Sequence, residues 1–151
     1  MDHPLVVYDD ENTDLLREAG ELAAGVDATL TVVSLMTPDE FREAREALDV
    51  VAQEEHTSYD DSVVIDAAKR QARETGEELF EDVDVEWTVV GARIGDGESE
   101  ADRILEVADQ NDVDHVFITG EKRSPTGKAV FGDRAQSLIL NFDGPVTSLL
   151  G

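Results

Sequence analysis

The sequence predicts an α/β fold: an open, twisted, parallel five-stranded sheet with helices on both faces. Three observations carry this prediction. Short runs rich in valine, isoleucine and leucine alternate along the 151 residues with longer stretches whose apolar positions return every three or four residues. The run from Ala28 to Met36 is apolar nearly throughout, as expected for a strand buried on both faces. Strands separated by helices lie parallel, joined by right-handed crossovers.

Leu5 to Tyr8 form the first strand, broken by Asp9, Asp10, Glu11 and Asn12. Asn12 or Thr13 is placed to cap a helix, with Asp14 and Glu18 in its early turns where the dipole favours them. Leu15, Leu16, Ala19, Leu22 and Ala23 line one side of it, and Gly25 ends it. The second strand, Ala28 to Met36, is rich in β-branched residues. Thr37-Pro38 starts a short helix to about Leu48, and Gln53 to Ser58 reads as a polar loop. Asp60 or Asp61 caps a longer helix to about Phe80. Val83, Val85, Trp87 and Val89 alternate with Asp84, Glu86 and Thr88, a third strand with one face more exposed, ending Val89-Val90-Gly91. Gly95-Asp96-Gly97 is a turn. Ser99 with Asp102 resembles a capping box before the helix that carries Ala101, Ile104, Leu105 and Ala108. Val113 to Thr119 is the fourth strand, a helix runs from about Arg134 to Leu140, and Val146 to Leu150 is the fifth strand. No internal repeat or linker divides the chain, so residues 1–151 are expected to form a single domain.

Charge narrows the chemistry. Thirty-six acidic residues face twelve basic ones, a net charge of −24, and only Lys69, Lys122 and Lys128 are lysines. The 40% hydrophobic content is periodic, which argues for folding rather than disorder. An acid-rich, lysine-poor surface suits concentrated salt, where a Debye length of ~3 Å at 1 M screens self-repulsion. The same charge opposes nonspecific binding to nucleic acid or an anionic membrane. Cysteine is absent, which excludes disulfides, thiolate metal sites and thiol catalysis. No apolar run approaches the ~20 residues of a membrane helix, and Met1-Asp2-His3-Pro4 lacks the features of a signal peptide, so a cytoplasmic location is expected. His3, His56 and His115 show no metal-ligand spacing, and no Gly-x-Ser-x-Gly nucleophile motif occurs.

One segment stands apart. Residues 120–134, GEKRSPTGKAVFGDR, hold four of the twelve basic residues and a local charge of +2. Gly120, Gly127 and Gly132 punctuate it, and a helix N-terminus follows. Glycines let backbone N–H groups approach a phosphate, and Lys122, Arg123 and Lys128 supply countercharge. The competing reading is that the cluster pairs with acidic neighbours and the glycines only make turns. It is not a Walker A motif: six residues separate Gly120 from Gly127, and Ala129 stands where a hydroxyl should hold magnesium. Ser124-Pro125 reads as an N-cap and first helical residue inside the segment.

In length and element order the whole chain resembles the universal stress protein family, as a haloadapted, archaeal-type member. The ATP-binding branch of that family carries Gly-x-x-Gly, nine residues, then Gly followed by Ser or Thr. An Asp just past strand one and a residue ending strand two hold its nucleoside. Asp10, after LVVY, matches the first position and Leu35 the second, while Gly120 and Gly132 match the outer glycines. Arg123 stands where the second glycine belongs, with Gly127 as a displaced glycine, and the spacing from Gly120 to Gly132 is one residue short. Asp133 replaces the hydroxyl residue that faces phosphate, which places a carboxylate at an anion site.

The resemblance implies the adenine-nucleotide alpha hydrolase-like strand order 3-2-1-4-5. It also implies ATP (with Mg) or another adenine nucleotide, held by Asp10, Leu35, Gly120, Lys122, Arg123, Gly127, Lys128, Gly132 and Asp133. It further implies a homodimer through the terminal strand Val146 to Leu150. Three functions follow: a nucleotide-binding regulatory dimer in stress response, a ligand-free interaction module in which Asp133 marks a lost phosphate site, and a slow ATP hydrolase. No catalytic residue is identifiable.

Overall fold

Apolar side chains on alternate positions of a strand point to opposite faces, so a sheet covered on both sides needs strands that are apolar throughout. The computed structural model describes residues 1–120 and 132–150, and its central strands meet that demand. The order is β1 (Pro4–Val7), α1 (Asp14–Gly25), β2 (Thr29–Met36), α2 (Pro38–Glu54), α3 (Asp61–Leu79), β3 (Glu86–Arg93), α4 (Glu100–Gln110), β4 (His115–Gly120), α5 (Gly132–Asn141) and β5 (Val146–Leu150). All strand pairs are parallel, in the order β3-β2-β1-β4-β5.

Two cores flank the sheet. Leu5, Val7, Val33, Val116 and Ile118 face α4 and α5, meeting Ile104, Val107 and Leu138. Val6, Val32 and Phe117 face the other way, onto Leu15, Leu16, Ala19 and Ala72 of α1 and α3. Burying one such Leu, Ile or Phe contributes about 1.5–3 kcal/mol, so this period-two sorting fixes the register of every strand.

α3 and β3 meet through an aromatic pair. The rings of Phe80 and Trp87 lie edge to face, centroids 5.4 Å apart. Each ring fills a helix position without a side chain: Phe80 lies against Gly20 of α1, and Trp87 against Gly76 of α3. His115 stacks on Phe117 at 4.6 Å, and its Nε2 bonds the Thr147 hydroxyl at 2.8 Å. Burial pushes the His115 imidazole below its ordinary value, against the opposing pull of Asp114.

Several boundaries differ from the sequence reading. β1 and β4 begin and end within two residues of expectation. β3 starts at Glu86 rather than Val83, because its partner β2 starts at Thr29, and it runs on to Arg93 opposite Met36. Val83 and Val85 precede the strand and pack into the core by way of a turn, with the Val83 N–H donating to the Phe80 carbonyl at 3.0 Å. α2 does not stop near Leu48. Nothing between Pro38 and Glu54 breaks a helix, so it absorbs Gln53 and Glu54 as well.

Three helices end without glycine in the reversing position. Asp27, His56 and Asp112 take positive φ of 57°, 57° and 53°. Each is followed by a six-to-one bond, such as the Ala28 N–H to the Ala23 carbonyl at 2.9 Å. Gly25 is thus the last turn of α1, and Asp27 reverses the chain. Thr13 sits at the N-cap of α1, but its side chain makes no capping bond. No helix among the described residues is long and apolar enough to cross a membrane.

Candidate functional site

The strand order runs outward in two directions from the β1–β4 pair, one arm through β2 and β3, the other to β5. Crossovers therefore leave β1 and β4 on opposite sides, and a crevice opens at their carboxyl ends. A cavity of about 460 Å³ occupies that end of the sheet, within the size range of small-molecule sites. Its floor is the end of β1 and the segment Ser34–Thr37. α2 and α3 supply a wall of small apolar side chains, Ala44, Val64, Ala67 and Ala68.

The geometry of β2 gives this floor its chemistry. The Val33 carbonyl accepts from the Tyr8 N–H at 2.8 Å, so Val33 directs its backbone groups at β1. The Met36 carbonyl accepts from the Ile94 N–H at 2.8 Å, so Met36 faces the β3 side. Backbone groups alternate sides along a strand, which turns the Leu35 N–H and C=O to the same side as those of Val33. β1 ends at Val7 and the chain departs through Asp9 and Asp10. Leu35 thus aims one donor and one acceptor into the gap where β1 has left the sheet, next to those two acids.

Asp9 and Asp10 differ in role. Asp9 is half-buried: its Oδ1 accepts from the Glu11 N–H at 3.0 Å and its Oδ2 from the Thr119 hydroxyl at 3.0 Å. It latches the end of β1 to the end of β4 across the crevice. Asp10 is exposed at the cavity edge. On the far side, Arg134 in the first turns of α5 donates from Nη1 to Glu100 Oε2 at 3.0 Å and from Nη2 to the Thr119 carbonyl at 3.1 Å. Thr37 and Glu40 close the remaining side with a reciprocal capping box, at 3.1 and 3.2 Å.

The cavity thus brings Asp10 and Leu35 together. Gly120 ends β4, one residue beyond Thr119. Gly132 opens α5 with φ 81°, a conformation that favours glycine, and Asp133 is exposed in the first turn of that helix, inside it rather than capping it. Lys122, Arg123, Gly127 and Lys128, with the Ser124-Pro125 turn, lie outside the described residues. Asp9, Ser34, Glu40, Glu100 and Arg134 also line the cavity; Asp9 belongs to the acidic pair after β1 and Arg134 closes the basic 120–134 segment, whereas Ser34, Glu40 and Glu100 were not singled out from the sequence. The Thr37-x-x-Glu40 box is a readable local signal. The Arg134–Glu100 pair joins residues 34 apart, and no local pattern announces it.

Comparison with known proteins points the same way. The model of the universal stress protein family matches residues 2–148. Among solved structures, the chain is similar to a universal stress protein from Archaeoglobus fulgidus, with 25% identity, 98% of each chain covered and a TM-score of 0.60. A universal stress protein from the same organism in complex with dAMP is 20% identical, with 98% of this chain and 97% of that one covered and a TM-score of 0.55. A universal stress protein in complex with cAMP is 14% identical, with coverage of 99% and 96% and a TM-score of 0.60. No curated protein sequence matches the chain.

Proposed function

This chain belongs to the universal stress protein family, and we propose that it works there as a regulatory stress-response module whose state is set by an adenine nucleotide in the β1–β4 crevice. One observation carries the proposal: Leu35 presents a backbone donor and acceptor to a slot walled by small apolar side chains, beside Asp10. An adenine ring offers the matching acceptor and donor on one edge, and Asp10 is placed to accept from a ribose hydroxyl. The phosphate end falls to Gly120, Lys122, Arg123, Gly127, Lys128, Gly132 and Asp133, whose glycines and positive charge suit an anion. That two similar proteins were solved with dAMP and with cAMP supports an adenylate as the ligand. ATP with Mg and AMP are the two forms to test.

The module is taken to be a cytoplasmic, single-domain protein of archaeal type, and its 36 acids against three lysines support haloadaptation. It pairs as a homodimer through Val146 to Leu150. β5 is an edge strand, and such an edge must be covered or paired. α5, packed on β4 and β5, leaves Ile139 and Leu140 49% and 72% exposed. A monomeric mass in molar KCl would remove the dimer from the account.

The second reading, a ligand-free interaction module, draws on Asp133, which puts a carboxylate in the first turn of α5 where a phosphate would approach. Calorimetric titration in molar KCl with ATP and magnesium, and separately with AMP, separates the two. Saturable binding at one site per chain supports the nucleotide module. Absence of heat at millimolar ligand, from protein shown to be folded, supports the ligand-free one.

A further inference from the structure

The described lining of the crevice is acidic. Asp9, Asp10, Glu40 and Glu100 face a single cation, Arg134, a balance of −3. Asp133, in the first turn of α5, adds another negative charge. Residues 121–131 carry +2 by sequence, so even their whole charge brought to the crevice leaves −2. Arg134 itself is engaged at both ends of its fork, by Glu100 at 3.0 Å and by the Thr119 carbonyl at 3.1 Å. A phosphate reaching this guanidinium must displace a carboxylate already in place, on a protein of net charge −24.

We propose that Glu100 is the resident counter-anion of Arg134 and makes the crevice selective for adenine nucleotides of low charge, with a salt dependence opposite to that of an ordinary phosphate site. Phosphate sites weaken in salt because screening removes attraction. Here the net interaction with a nucleotide is repulsive, so screening removes an obstacle and binding tightens. The uncharged part of the ligand supplies the affinity, and each added phosphate charge subtracts from it. A triphosphate binds weakly unless a divalent cation or added salt offsets part of its charge. This inference rests on the nucleotide reading of the crevice, and its test separates the two.

The test is calorimetric titration with adenosine, AMP and ATP, without divalent cations, at 0.2 M and 2 M KCl, circular dichroism confirming the fold at each. Adenosine and AMP are expected to bind at least tenfold more tightly than ATP at 0.2 M. Raising the salt should narrow that gap and leave adenosine within about twofold. At 0.2 M KCl, Glu100→Gln should tighten ATP and AMP roughly three- to tenfold, the effect of removing one nearby charge in a partly exposed site, and that gain should shrink at 2 M KCl. Adenosine should stay unchanged in that variant. Glu43→Gln removes the same charge from an exposed position of α2 that does not line the cavity, and should change no affinity beyond twofold. ATP as the tightest ligand, weakening as KCl rises, would overturn the inference and leave the nucleotide reading standing. So would weaker AMP binding in folded Glu100→Gln. Failure of adenosine and both nucleotides to bind at either salt would overturn the reading of the crevice and this inference together.

Discussion

Gly76→Ala tests how α3, a wall of the crevice, is held in place. An alanine Cβ at position 76 would lie 2.6 Å from Trp87 Cη2 and 2.8 Å from Cζ3, closer than carbon atoms approach. The half-buried indole stands edge-on against Phe80, whose own ring fills the space beside Gly20, so it cannot retreat in that direction. On an exposed helix face this substitution stabilises by about 1 kcal/mol through helix propensity. Overpacking a filled core costs about 1–3 kcal/mol, and the edge-to-face pair contributes roughly 0.5–1.5 kcal/mol that a displaced indole forfeits. The expected net is a loss of about 1–2 kcal/mol. For a domain of this size that lowers Tm by roughly 2–8 °C. Because α3 also carries Val64, Ala67 and Ala68 into the crevice, its displacement should weaken nucleotide binding as well. Chemical denaturation in 2 M KCl reads the stability. The double variant Gly76→Ala with Trp87→Leu should cost less than the two single changes added together, because leucine vacates the contested space. A Gly76→Ala protein more stable than the parent by about 1 kcal/mol would refute the packing argument.

Three further outcomes are expected. Stability should rise from dilute buffer to molar KCl, as the Debye length falls from about 10 Å at 0.1 M to about 3 Å at 1 M; equal denaturation midpoints at the two salts would count against haloadaptation. His115, depressed by burial, binds a proton less readily folded than unfolded, so stability should be lost as pH falls from 6.5 through its folded-state value. His115→Gln should flatten the stability curve in that window, and an unchanged slope would show that another group titrates there. Asp133→Ser should tighten ATP severalfold by removing a carboxylate from the helix start where phosphate approaches; unchanged or weaker binding would mean that this carboxylate is not what opposes phosphate.

Much of this was legible in the sequence because the decisive forces are local or periodic. The buried strands announce themselves as apolar runs, and Leu15, Leu16 and Ala19 mark the inner face of α1 by spacing alone. The position of Leu35 at the end of β2 was legible too, since the strand stops where Thr37-Pro38 begins a helix. What stayed hidden was set by partners distant in the chain. β3 took its start from β2 rather than from its own alternation, so Val83 and Val85 looked like strand and were not. Asp9 looked no different from Asp10 until Thr119, 110 residues away, was seen to bond it. Glu100 looked like the opening of a helix, and its hold on Arg134 depends on α4 and α5 lying side by side.

The most direct test of the central claim is the amide shift of Leu35 in isotope-labelled protein titrated with adenosine, AMP and inorganic phosphate in molar KCl. If the β2 backbone reads the base, the Leu35 amide moves and saturates with adenosine and with AMP, and stays in place with phosphate. Saturable AMP binding that leaves Leu35 unmoved would place the ligand elsewhere and contradict the account.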